Sequence, residues 1–354
     1  MKIILTTIIL LLFAVLNISL DTPVNFIIGN GQQPQITIDN LGTIRVIYGN
    51  DDKIYCAISV DNGVTFPDIQ KVGEINDMHL GMSRGPQVAT SKNYTLVAAI
   101  DKKGSVHIFQ LQHQSGKWTQ VSLANDIVGS APEGLMSIAA DQSDNFYVVW
   151  LDIRNDKKNK ICFAKTADKG LSWTKNKIAY TSPDKTVCEC CKPTIVVSGS
   201  KVIIMFRNWL LGSRDLYLLQ SDNKGLSFKD PVKLGNGTWK LSGCPMDGGG
   251  LIMNEKQQIK TVWQRQGIIF YATPGVAENE IGKGKGCSIT DSKNPIITWQ
   301  EGSKLKVKEF NKTDVIDVGE GGFIRSIRTK DKNIFCTWEQ EGKIIFKKLL
   351  ITPG

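Results

Sequence analysis

Seven times along the chain a β-branched, apolar run ends on an apolar or aromatic residue and gives way to a polar loop. The runs are 44–48, 95–100, 146–150, 202–206, 259–263, 295–299 and 333–338. Self-similarity of this kind constrains a fold more than any single motif does, because each copy is one supersecondary unit that buries its apolar face only against its neighbours. A short strand candidate precedes each run, at 35–38, 87–90, 135–139, 194–197, 250–253, 287–289 and 323–327. A third follows it, at 54–59, 106–110, 161–165, 216–220, 268–272, 305–310 and 344–349. A fourth, outer strand fits six of the units: 70–74, 120–123, 177–180, 232–234, 279–282 and 315–318. The seventh unit reaches the end of the sequence without one, and the segment 24–29 belongs to no unit. It supplies the missing strand if the ring closes on itself and so removes an open edge. The expectation is an all-β chain, a β-propeller of seven four-stranded blades closed by an N-terminal strand. Six blades is the alternative, should the two short C-terminal units be misread.

Residues 1–20 read as a bacterial-type signal peptide. Lys2 gives a positive start, the stretch 3–16 is apolar apart from Thr6 and Thr7, and polarity returns before a cleavage point near Ser19. That run is short of the roughly 20 residues a spanning helix needs, and no later segment is long and apolar enough. Residues 21–354 are therefore expected to form one exported propeller domain, periplasmic or secreted. The net charge is +9, from 43 Lys+Arg against 34 Asp+Glu. Such a balance favours polyanionic partners. No basic block is interleaved with aromatics, which argues against nucleic acid.

Between third and fourth strands a second motif recurs. Ser59, Asp61, Gly63 and Phe66 are matched by Thr166, Asp168, Gly170 and Trp173, and again by Ser221, Asn223, Gly225 and Phe228. Ser115, Gly116 and Trp118 form a decayed fourth copy. The acidic or amide side chain accepts backbone N–H groups within the turn, glycine takes a positive φ, and the aromatic folds back between strands. This motif resembles the Asp box, or BNR repeat, of the sialidase superfamily, and the chain is similar to secreted exo-alpha-sialidase-like proteins of bacteria. In that family the boxes lie on the outer edge and are structural.

The repeat places the loops before first strands and after second strands on one face, around the central channel. Arg84, Arg154, Arg207, Arg214 and Arg265 fall in these loops, together with Asn208 and Trp209. So do Glu133, Asp152, Asp156, Glu189, Asp215 and Asp247. Convergent arginines suit a carboxylate ligand, which they hold through paired N–H donors. The resemblance to sialidases implies an arginine clamp on the substrate carboxylate, a Tyr–Glu nucleophile pair and an Asp acid/base. Arg84-Gly85-Pro86 is similar to the element that carries the first family arginine. The segment from Asp152 through Arg154 to Asp156 resembles the family segment bearing an arginine and the acid. The two stand on different blades here, and Tyr217 and Tyr271 fall in third strands rather than in funnel loops.

The expectation is thus a sialidase-like propeller acting on or binding acidic glycans through an arginine-rich funnel. If it is catalytic it is a glycoside hydrolase; the alternative is a binding propeller that cleaves nothing. No organic cofactor is called for. Cys188, Cys190, Cys191, Cys244 and Cys287 precede first strands of neighbouring blades and should cluster at the funnel. Inter-blade disulfides are expected there, with one thiol left over. A soft metal ion on Cys-x-Cys-Cys, or a reactive thiol, are the other readings. Of the histidines, His79 alone lies near a funnel loop.

Overall fold

The computed structural model describes residues 25–349; the signal-peptide expectation lies outside them. Strand β1 (Asn25–Asn30) stands first in the chain. Blade one is β2 (Gln32–Ile38), β3 (Ile44–Asn50), β4 (Lys53–Ser59) and β5 (Asp68–Glu74). Blade two is β6 (Gln87–Thr90), β7 (Tyr94–Ile100), β8 (Val106–Gln112) and β9 (Trp118–Leu123). Blade three is β10 (Met136–Ala140), β11 (Phe146–Asp152), β12 (Lys160–Thr166) and β13 (Lys177–Tyr180). Blade four is β14 (Thr194–Ser198), β15 (Lys201–Arg207), β16 (Leu216–Ser221) and β17 (Val232–Lys233). Blade five is β18 (Gly250–Met253), β19 (Ile259–Arg265), β20 (Ile268–Ala272) and β21 (Asn279–Lys283). Blade six is β22 (Lys285–Thr290), β23 (Ile296–Glu301), β24 (Lys304–Glu309) and β25 (Ile316–Glu320). Blade seven is β26 (Gly322–Arg328), β27 (Ile334–Gln340) and β28 (Lys343–Leu349), and β1 pairs antiparallel with β28 as its outermost strand. The seven-bladed count and the closure by the N-terminal segment are both as the repeat predicts.

First strands of successive blades lie side by side around the axis. Second strands are covered on both faces by neighbouring blades, which is why they read as unbroken apolar runs rather than as alternations. Every residue of β11, for instance, is buried. Outer strands face water and alternate weakly, as in β5.

A glycine–aromatic contact joins successive blades. The second-strand aromatics Tyr48, Trp263, Trp299 and Trp338 are all buried. Each lies against a glycine at or beside the outer strand of the preceding blade: Gly29, Gly235, Gly282 and Gly319 respectively. A Cβ on Gly319 would stand 2.8 Å from the Trp338 ring. These positions read as turn or strand glycines in the sequence, and the structure shows that they make room for the neighbouring blade's ring.

The turns at Asp61, Asp168 and Asn223 share one hydrogen-bond pattern. Asp61 Oδ1 accepts from the Val64 and Thr65 N–H at 3.1 and 3.0 Å. Asp168 and Asn223 accept from the Ser172 and Ser227 N–H, each at 2.9 Å. Gly63, Gly170 and Gly225 have φ of 77, 93 and 83°. They pack on Phe335, Leu96 and Phe163 of the preceding blades. The turn at Gly116 has no such neighbour and no carboxylate, so the fourth copy keeps the chain reversal and the buried aromatic Trp118 but not the side-chain bonds within the turn.

Candidate site at the channel mouth

The funnel arginines do come to one face, but protein groups already hold most of their donors. Arg207 is 1% exposed and spans three loops: Nε donates to the Asp247 carbonyl at 2.9 Å, Nη1 to that of Arg214 at 2.7 Å and Nη2 to that of Gln264 at 2.9 Å. Arg154 folds onto Asp152, whose Oδ1 takes Nε at 2.8 Å and whose Oδ2 takes Nη2 at 2.9 Å; its Nη1 meets Asp126 at 3.1 Å. Arg265 pairs with Glu278 at 2.8 Å over the Phe270 ring. Arg214 stacks on Trp209 at 4.5 Å and pairs with Glu189 at 3.3 Å. Arg84 donates through Nε to the Glu133 carbonyl at 2.6 Å, and its buried Nη1 has no partner. Arg84 thus keeps one buried donor without an acceptor, and no clamp of three converging guanidiniums is formed from this set.

The carboxylates expected to be acids are likewise occupied. Asp152 is fully buried and also accepts from Trp150 Nε1 at 2.8 Å. Burial would raise its pKa, but the Arg154 donors outweigh burial and hold it below the carboxylate range. A group fixed in its ionised form has no proton to give. Asp247 accepts from the N–H of Gly249 and Gly286 at 2.9 and 2.8 Å. Asp215 accepts from the Trp239 N–H at 2.8 Å and meets Lys233 at 3.3 Å. Asp156 points outward to Lys160, and Glu133 meets Asn159 at 3.3 Å. Asn208 donates to the Tyr180 hydroxyl at 2.9 Å. His79 Nε2 faces the Pro132 carbonyl at 2.8 Å, an acceptor, so that nitrogen carries the proton.

What the funnel loops leave open is a cleft of about 790 Å³ over the channel. Loops before the first strands of two blades supply Ser83 and Pro245, the starts of first strands β22 and β26 supply Lys285 and Phe323, and second-strand ends supply Gln300 and Glu339. Glu320 and Glu341 stand at its rim, exposed. Glu339 is partly sheltered; burial raises its pKa although the Gln33 N–H donates to it at 2.7 Å. The segment from Glu339 to Glu341 is legible in the sequence as a funnel loop, and its place after a second strand is the signal.

Two cations in the channel were missed by the sequence reasoning. Lys192, just before β14, donates to Gln87 Oε1 at 2.9 Å across the axis. Arg325 lies in β26, and its Nη1 meets only the Ile324 carbonyl at 2.8 Å. Neither forms an ion pair. Both keep some accessible surface yet have protein around them, as groups in a narrow channel do. Burial, and then the charge of Arg325, bring Lys192 down to about 7. The signal in the sequence is a cation inside, or next to, the innermost strand of a blade.

Beside the cleft, Cys190 is disulfide-bonded to Cys244, joining blades four and five. Cys188, Cys191 and Cys287 are buried free thiols. This one inter-blade bond leaves three of the five clustered cysteines as thiols. Cys188 Sγ lies 3.2 Å from Cys191 Sγ and 3.6 Å from Cys190 Sγ, and Arg214 Nη1 reaches it at 3.0 Å.

The fold makes this chain a seven-bladed β-propeller. No protein-family model matches the sequence, and a search of curated proteins gives no match. Among solved structures it is similar to "a new family of Polysaccharide lyase PL25-Ulvanlyase bound to -[GlcA(1-4)Rha3S]-". The TM-score is 0.56 at 11% identity, covering 93% of this chain and 96% of that one. It is also similar to the SapL1 lectin in complex with alpha methyl fucoside, with a TM-score of 0.53 at 12% identity, covering 82% and 97%. The NanB sialidase of Streptococcus pneumoniae matches with a TM-score of 0.44 at 13% identity, covering 92% and 70%. Identities of this size carry the propeller fold and no closer kinship. No helix among the described residues is long and apolar enough to cross a membrane.

Proposed function

We propose that this propeller binds a carboxylated or sulfated glycan at the channel mouth, with sugar hydroxyls meeting the cleft and the acidic group reaching Lys192 and Arg325. The observation that carries it is the pair of cations on innermost strands and their loops without a carboxylate partner, in a propeller whose funnel loops also form a cleft lined by hydrogen-bonding side chains. A buried cation without a counter-ion is costly, and an anionic ligand relieves that cost. Glu320, Gln300, Gln340 and Glu341 offer acceptors to hydroxyls, and Phe323 an apolar face to a ring. This reading moves the anion site inward from the loop arginines, which serve the scaffold. The lectin and lyase descriptions support it as analogy between propellers.

The test is calorimetric titration with uronate-containing oligosaccharides and their neutral counterparts. Arg325→Gln and Lys192→Gln should each weaken acidic-ligand binding by about tenfold or more, the worth of one charged hydrogen bond. Neutral ligands should be little affected. Equal affinity of wild type and both variants overturns the assignment. One observation favours a second reading, hydrolysis: Glu339 stands in the cleft with its pKa raised by burial, the direction that general acid work calls for. Release of reducing ends without an unsaturated uronate product, lost in Glu339→Gln, would establish it.

A further inference from the structure

The turn from Cys188 to Cys191 gathers three sulfurs whose Sγ atoms all lie within 4.8 Å of one another. We propose that this turn is a site for a soft monovalent metal ion, Cu(I), held by Cys188, Cys190 and Cys191 as thiolates once the Cys190–Cys244 disulfide is reduced. Thiolate donors select soft ions, and among these Cu(I), Zn²⁺ and iron–sulfur clusters are the common occupants. The surroundings discriminate between them. Structural zinc takes four ligands, and only three donors come together here: Cys244, released by the same reduction, does not join the three sulfurs that lie within 4.8 Å of one another, the Glu189 carboxylate is paired with Arg214, and no histidine belongs to the cluster. Three thiolates without a fourth ligand are a complete set for Cu(I).

The surroundings also suit thiolates. A monovalent ion on three thiolates leaves two negative charges in a buried place. Arg214 donates to Cys188 at 3.0 Å, and the buried Arg207 acts electrostatically on Cys191. These two guanidiniums lower the cost of holding the sulfurs as thiolates. Cys188 is fully buried and Cys191 is 2% exposed, while Cys190 is half-buried and gives the site its opening.

Opening the site needs a thiol or phosphine reductant. Two electrons and two protons convert the Cys190–Cys244 bond into two thiols, and each ligating thiol releases its proton when copper binds. The disulfide therefore gates the third ligand, and Cys244, which lines the cleft, is freed at the same time.

The experiment is an anaerobic titration of phosphine-reduced full-length protein with Cu(I) against bicinchoninate, with copper X-ray absorption on the product. One Cu(I) per chain with a sulfur-only coordination shell is expected. Cys188→Ser and Cys191→Ser should each weaken binding by more than the roughly 10–100-fold that loss of an outer partner costs. Cys287→Ser and Cys162→Ser should retain it. Protein with the disulfide intact should bind more weakly. Failure of reduced wild type to withdraw copper from bicinchoninate, or a nitrogen–oxygen shell, overturns the proposal. So does equal binding by the oxidised protein or by either ligand variant. The absorption measurement uses wild type alone and decides even if a serine variant does not fold.

Discussion

Lys192 Nζ reaches across the central channel to Gln87 Oε1 at 2.9 Å, so a loop of blade four is tied to the innermost strand of blade two through a neutral acceptor. Because the amide carries no charge, the ammonium stays available to an anion. Gln87→Glu should neutralise it and weaken binding of uronate oligosaccharides by about tenfold or more while leaving the fold intact. Calorimetry on this variant, compared with Lys192→Gln, checks the prediction.

Arg207 is a brace. Replacing it by methionine leaves the carbonyls of Asp247, Arg214 and Gln264 without their donor. The loss should be on the order of 3 kcal/mol, and lysine should recover only part of it, since an ammonium does not reproduce the planar fork. Chemical denaturation of Arg207→Met and Arg207→Lys measures both.

The glycine–aromatic contact between blades predicts a contrast. Gly319→Ala should destabilise by about 1–3 kcal/mol, because its Cβ would meet the Trp338 ring in a packed interface. Gly342→Ala has open space around it and a φ of 72°, so its cost should be backbone strain of about 1 kcal/mol. Thermal unfolding should rank the two in that order.

Glu278 sets an acid limb in the stability curve. Burial opposes its ionisation, but the Asn236 N–H at 2.5 Å, Arg265 at 2.8 Å and the Gly237 N–H at 3.1 Å outweigh burial and lower it to about 2. Its folded pKa lies below the unfolded value, so its contribution is complete above about pH 4.5 and is lost as pH falls toward 2. Glu278→Gln should lose about 2 kcal/mol at neutral pH and converge with wild type near pH 2. Urea midpoints across that range test the sign.

The seven blades are legible because runs such as 146–150 and 259–263 carry the signature of strands buried on both faces, and because the turns at Asp61, Asp168 and Asn223 punctuate them at the same place. The arginines are legible as residents of one face but not as to what they touch. Arg154 takes Asp126 and Asn176, 28 and 22 residues away, as partners. A count of charges along the sequence does not say which guanidiniums are already satisfied. Arg325 shows the converse: between Ile324 and Ser326 it reads as an ordinary strand residue, and only the ring brings it toward Lys192.

The pairing of β1 with β28 makes the earliest strand of the propeller the partner of the latest. During synthesis β1 has no native partner until nearly the whole chain has emerged, and this contact has almost the largest sequence separation the molecule allows. Closing so long a loop is entropically dear and kinetically late. The last step of folding should therefore be a latching of β1 onto β28. Until that latch closes, the blades form an open arc with two bare edges. A factor that shields strand edges would protect the chain most at this stage, and conditions that slow latching would favour aggregation over folding.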